Sequence, residues 1–241
     1  MLLLTVRLLG TPQFEYDGKP VRFSSRKNLA LLAYMSVTRR THRRDSLATM
    51  FWPESNQSSA RQSLRGSIYR LNKICSGLIK TPDRETVVLA RQPEIYVDAD
   101  QFQNCLDECK THGHESNVIC GNCVNPLSQA LSLYRGTFLE GFTLSDSLDF
   151  DNWQLTQSEY FRTEMASGFE RLILYFRVSG DLPSAISYSL RWQELEMYNE
   201  ETYRLLMELY ARTKQREAAL RQYHACARML NEDLGISPGD E

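Results

Sequence analysis

Five side chains able to bind a borderline metal ion fall in one short stretch: Cys109, His112, His114, Cys120 and Cys123. Cys109-x-x-His112 and Cys120-x-x-Cys123 form two knuckles on either side of a short loop, so their ligands can converge on one tetrahedral ion. Thiolate and imidazole together suit zinc. Cys109, Cys120 and Cys123 plus one histidine complete a Cys3His structural site. His112 keeps the knuckle symmetry, and His114 is the alternative. Two rival readings remain: incidental cysteines, since free Cys is often buried, and a redox pair at Cys120 and Cys123. No thioredoxin-like βαβ pattern surrounds that pair. A catalytic zinc needs an open coordination position and a general base, and the sequence reveals neither. There is also no P-loop, Gly-x-Gly-x-x-Gly, Gly-x-Ser-x-Gly or His-Glu-x-x-His motif. The expectation is binding, not enzymatic catalysis.

The second concentration of chemistry is cationic. Arg43 and Arg44 end a basic turn, and Arg61, Gln62, Arg65, Tyr69, Arg70 and Lys73 follow along one helix-period stretch. Arg84 and Arg91 flank the β-rich segment beyond it. Arg and Gln side chains form bidentate contacts with base edges, and flanking cations hold phosphates. The formal net charge of -2 hides this bias: residues 1–98 carry 16 Lys and Arg against 8 Asp and Glu, and residues 99–241 carry 12 against 22. An N-terminal part facing a polyanion follows, with a domain boundary at the composition shift, giving domains 1–98 and 99–241.

The elements that position these groups are legible in outline. Leu3–Gly10, Gln13–Tyr16 and Val21–Phe23 are predicted as short strands, with Asp17-Gly18 as a turn. Ser24 and Ser25 cap a helix over about 26–37. A second helix carries Leu47, Met50 and Phe51 and stops at Trp52-Pro53, because proline cannot donate into a continuing helix. A third runs from about Ser58 to Cys75. Its Ala60, Leu64, Ile68 and Leu71 recur at helical spacing and form the buried face. Thr86–Leu89 and Ile95–Val97 are predicted to pair as a hairpin, the wing around Arg84–Arg91. This order is that of a winged helix-turn-helix, whose third helix suits the major groove. Gly66 on its exposed face lets the backbone approach closely. A solvated amphipathic helix is the competing explanation of that basic face.

After residue 124 the pattern is almost entirely helical, and four positions repeat at an offset of 34: Phe169, Leu172, Phe176 and Ala185 return as Tyr203, Leu206, Tyr210 and Ala219. That is the spacing of tetratricopeptide (TPR) repeats. The predicted fold class is mostly α with a small β component: an N-terminal winged helix-turn-helix followed by an all-α TPR-like helical repeat domain.

Four stretches then carry a family resemblance: Arg26–Met35, Asp45–Pro53 ending in Phe-Trp-Pro, Ala60–Arg65, and Leu133-Tyr134-Arg135-Gly136-Thr137-Phe138-Leu139-Glu140-Gly141-Phe142. Together they resemble the Streptomyces antibiotic regulatory proteins, which join an OmpR/PhoB-type winged helix to a bacterial transcriptional activator domain. The resemblance implies a sequence-specific transcriptional activator that binds promoter direct repeats in double-stranded DNA. It also implies recruitment of RNA polymerase and homodimerisation through the helical domain. The Cys/His segment is not part of the general family pattern. No apolar run approaches the roughly 18–20 residues of a membrane span, and MLLLTVRLLG lacks a cleavage site, so a cytoplasmic protein with no membrane partner is expected. The alternative function is a protein-interaction module without DNA binding.

Overall fold

The computed structural model describes residues 3–90, 94–114, 119–233 and 235. The chain forms two compact units, one of residues 1–104 and 132–162, the other of 105–131 and 163–241. It is mostly helical with small sheets.

In the first unit, β1 (Leu3–Arg7) and β2 (Gln13–Tyr16) pair antiparallel, and β2 pairs with the short β3 (Lys19–Pro20). Asp17 and Gly18 both hold positive φ, 51° and 72°, as a tight hairpin turn requires. The predicted strand at Val21–Phe23 is absent: pairing stops at Pro20, with only Val21 N donating to Phe14 O at 2.8 Å. Helix α1 (Arg26–Thr38) begins where Ser25 accepts from Asn28 N and ends at Arg39, φ 50°. The two-residue strand β4 (His42–Arg43) leads into α2 (Arg44–Phe51). Helix α3 (Gln57–Ile74) is capped by the Asn56 side chain, which accepts from Ser59 N, and buries Ala60, Leu64, Ser67, Ile68 and Leu71.

The wing differs from the expectation. Strand β5 (Ile79–Lys80) pairs antiparallel with β6 (Thr86–Leu89), which also pairs with β4. Strand β7 (Glu94–Val97) does not pair with β6. It runs parallel to β1 and completes a sheet of order β3-β2-β1-β7. The reason is burial: Leu4 and Val6 of β1 are fully buried, and a central strand needs a partner along both edges. Two-residue β5 is too short to leave a periodic signal. The wing tip is therefore residues 81–85, shaped by Asp83, whose carboxylate accepts from Glu85 N, Thr86 N and Thr86 Oγ1.

Residues 132–162 complete this unit. Arg135 N donates to Leu9 O, Leu139 N to Leu8 O and Glu140 N to Gly10 O. Gly10 has φ +120°, and a Cβ there would lie 3.2 Å from Arg135 Cβ. Phe138, Phe150 and Trp153 extend an aromatic cluster that includes Tyr34 of α1 and Phe51 of α2.

Helices α4 (Asp98–Lys110), α5 (Val124–Leu133) and α6 (Leu148–Ser179) each contribute residues to both units. The second unit continues with α7 (Leu182–Leu195), α8 (Glu200–Arg212) and α9 (Arg216–Arg228), packed consecutively. Asp181 and Asn199 cap α7 and α8 by accepting from Ser184 N and Glu201 N. Phe169 and Trp192 stack with centroids 6.0 Å apart. Of the repeated positions, Phe169, Leu172, Ala185, Tyr203 and Leu206 are buried, whereas Phe176, Tyr210 and Ala219 are half-buried.

Candidate nucleic-acid interface and metal centre

The apolar stripe of α3 turns its opposite face outward. Arg61, Gln62, Arg65, Tyr69, Arg70 and Lys73 are all exposed, as are Arg43 on β4 and Arg84 at the wing tip. Arg44 is half-buried, its backbone N–H donating to Glu85 O. Arg91 lies outside the described residues. The face is not uniformly free. Arg61 donates through Nε and Nη2 to both carboxylate oxygens of Asp45, the second bond at 2.6 Å. That pairing holds Asp45 below the usual carboxylate range and raises Arg61. Arg43 lies 3.8 Å from Glu85. Lys73 places its ammonium 4.8 Å from the centroid of the Tyr69 ring, and that ring is 61% exposed. Neither Arg65 nor Arg70 has an ion-pair or hydrogen-bond partner among the described residues. The Asp45–Arg61 pair leaves no signal in sequence, since the two residues are sixteen apart on different helices.

The Cys/His segment lies wholly in the second unit. Helix α4 ends at Lys110, and Gly113, with φ +72°, turns the chain so that His112 and His114 face back toward Cys120 and Cys123. Cys120 precedes a single 3-10 turn, Gly121–Cys123, that opens into α5. The ligand atoms of His112, His114, Cys120 and Cys123 all lie within 4.8 Å of one another. Cys123 Sγ is 3.0 Å from His112 Nδ1 and 2.9 Å from His114 Nε2, and Cys120 Sγ is 3.6 Å from both Cys123 Sγ and His112 Nδ1. Burial raises the Cys123 thiol. At Cys120 the upward push of burial is outweighed by hydrogen bonds from Cys123 and backbone N–H groups.

This grouping differs from the spacing argument. Both histidines join the cluster, and Cys109 is not one of the four. Cys109 sits in the last turn of α4, 1% exposed, with its thiol directed at Cys123 O, 3.7 Å away. Burial, with Cys123 beside it, pushes that thiol up to about 12.

The donor set and its spacing fit a metal. Zinc–ligand distances of about 2.0–2.3 Å put tetrahedral ligands within about 4 Å of one another, close to the separations found here. A His2Cys2 cluster of this kind can hold a metal ion.

A family model described as the bacterial transcriptional activator domain matches residues 97–241. The transcriptional regulatory proteins EmbR of Mycobacterium bovis and Mycobacterium tuberculosis are each 27% identical over 245 residues, covering 96% of this chain and 59% of the relative. The chain thus spans less than two thirds of these relatives. A solved structure titled Mycobacterium tuberculosis EmbR in complex with low affinity phosphopeptide aligns with 100% of this chain and 63% of its own, at a TM-score of 0.66 and 22% identity. At that identity the likeness is one of fold. Among the described residues, no helix is long and apolar enough to cross a membrane.

Proposed function

Because the chain belongs to the bacterial transcriptional activator domain family, as its match over residues 97–241 establishes, we propose that it is a transcriptional regulator that binds double-stranded DNA through α3. The observation that carries this reading is the exposed row of Gln62, Arg65, Tyr69, Arg70 and Lys73 on a helix that a winged helix-turn-helix presents to the major groove. Arg65 and Gln62 supply the donor geometry for base edges, Lys73 contacts phosphate, and Arg84 at the wing tip touches the backbone or minor groove. Arg61, already side-on to Asp45, supports this surface. Recruitment of RNA polymerase to promoter repeats, with the helical domain forming a homodimer, follows from the family resemblance and belongs to the same proposal.

A shift assay with the whole chain at two salt concentrations tests it. Affinity for duplex DNA falls steeply with salt if several phosphates are neutralised. Replacing Arg65 with Ala costs about 1–3 kcal/mol on the preferred site and relaxes base choice at one position, whereas Lys73→Ala weakens every sequence alike. Salt-insensitive or absent duplex binding by the intact chain refutes the reading and favours a protein-interaction module.

We further propose that His112, His114, Cys120 and Cys123 hold a structural zinc. Four protein ligands leave no open position, so the ion supplies cross-linking between the end of α4 and the start of α5, not reactivity. Elemental analysis of reduced protein should give about one zinc per chain. Metal-free protein with readily alkylated Cys120 and Cys123 would defeat this.

A further inference from the structure

Lys27, in the first turn of α1, and Arg70, on α3, line one polar hollow of about 520 Å3 together with Ser25, Gln62, Ser63 and Gly66. Among the described residues, no carboxylate lines it. Lys27 is held in place: its side chain is 19% exposed, its ammonium pairs with Asp146 at 2.6 Å and lies 5.4 Å from the Trp52 ring centroid. An ammonium has three donors, and Asp146 occupies one side of it. Arg70 lies beside Gly66, where a Cβ would come 3.4 Å from Nη1, and its guanidinium has no partner among the described residues. Two cations from separate helices thus share a concave, hydroxyl- and amide-lined space at the flank of the exposed α3 face.

A helix seated in the major groove has a phosphate chain on each side, and contacts to those chains set its register without reading sequence. We propose that this hollow seats one phosphodiester of the duplex backbone, with Lys27 and Arg70 each donating to it and the Ser63 hydroxyl completing its hydrogen bonds. This rests on the DNA-binding reading above. Lys27 lies outside the basic cluster that the sequence points to, and nothing in its sequence neighbourhood connects it to α3.

The test uses the whole chain and a short duplex selected by the wild type from a random-sequence pool. Lys27→Met and Arg70→Met should each flatten the dependence of log affinity on log salt by about one unit and weaken all duplexes by a similar factor. Lys27→Arg should restore the slope. Arg70 is exposed, so its variant keeps the test open if Lys27→Met destabilises the unit. A neutral methylphosphonate placed at each phosphate in turn gives the second arm. One position should cost the wild type about tenfold and Arg70→Met clearly less, as expected for a lost partner. Unchanged salt slopes in both Met variants, or equal methylphosphonate penalties in wild type and variant at every position, overturn the seat while leaving DNA binding intact. A wild type without a salt slope overturns both.

Discussion

Asp98 is 2% exposed and accepts three backbone N–H bonds, from Leu8 at 2.7 Å, Leu9 at 3.0 Å and Ala99 at 2.8 Å, with Arg135 at 3.6 Å. Burial pushes its carboxyl up, against the pull of those donors and of Arg135. An amide cannot accept at both ends, so Asp98→Asn turns one acceptor into a donor facing a backbone N–H. We predict a loss of about 2–3 kcal/mol in denaturant unfolding; a loss under half of that would show the site to be wetter than its burial implies. Gly66 makes the opposite case. A Cβ there meets only the far end of Arg70 at 3.4 Å, an ordinary contact, so Gly66→Ala should gain about 0.5–1 kcal/mol from helix propensity. If the glycine serves close approach to DNA, the more stable variant should bind duplex more weakly. Tighter or equal binding would leave its place in α3 unexplained.

At the scale of elements, legibility followed the length of the periodic signal. Helix α3 is readable because Ala60, Leu64, Ile68 and Leu71 repeat over its eighteen residues, while β5, two residues long, carries no periodic signal, so sequence pattern alone pairs β6 with β7. That Cys and His side chains gather between residues 109 and 123 is legible in sequence, but which of them converge is not, because the places of Cys109 and His114 depend on which way the last turn of α4 faces. His42, on the two-residue strand β4, is 6% exposed in the structure. Thr38 Oγ1 donates to Tyr34 O at 2.8 Å and lies 2.7 Å from His42 Nε2, so the imidazole donates there as the neutral Nε2–H form. Desolvation, with Arg40 nearby, lowers its pKa. The unfolded chain therefore binds the proton more readily. Stability is fully present above the ordinary value of about 6.5 and is lost as pH falls below it toward the folded-state pKa. Thermal melts from neutral to mildly acidic pH should show this decline, and His42→Gln should remove His42's share of it. An identical pH profile in the variant would show that His42 does not carry the decline.

At the scale of the whole molecule, the chain leaves the first unit at residue 104 and returns to it over 132–162. The charge shift near residue 98 cannot announce that return, because the segment joins by apolar and backbone contacts. Leu133–Phe142, one of the four stretches that carry the family resemblance, bonds through its backbone to Leu8, Leu9 and Gly10. Tyr34 packs against Trp153 and Phe51 against Phe150, with ring centroids 4.9 and 5.6 Å apart. A fragment ending at residue 98 lacks Phe138, Phe150 and Trp153. Losing one large core side chain costs about 3–5 kcal/mol, and a domain holds only about 5–15 kcal/mol in total. Phe138 and Phe150 are buried and Trp153 is half-buried, so their joint loss takes most of that. We therefore predict that residues 1–98 alone unfold without a cooperative transition and bind duplex DNA poorly. Joining 1–104 to 132–162 through a flexible Gly/Ser linker of about 15 residues should restore a cooperative melt and the near-ultraviolet signal of packed aromatic rings. If residues 1–98 melt as sharply, and at the same temperature, as the linked pair, then the aromatic cluster contributes little, and the first unit is self-sufficient without its returning segment.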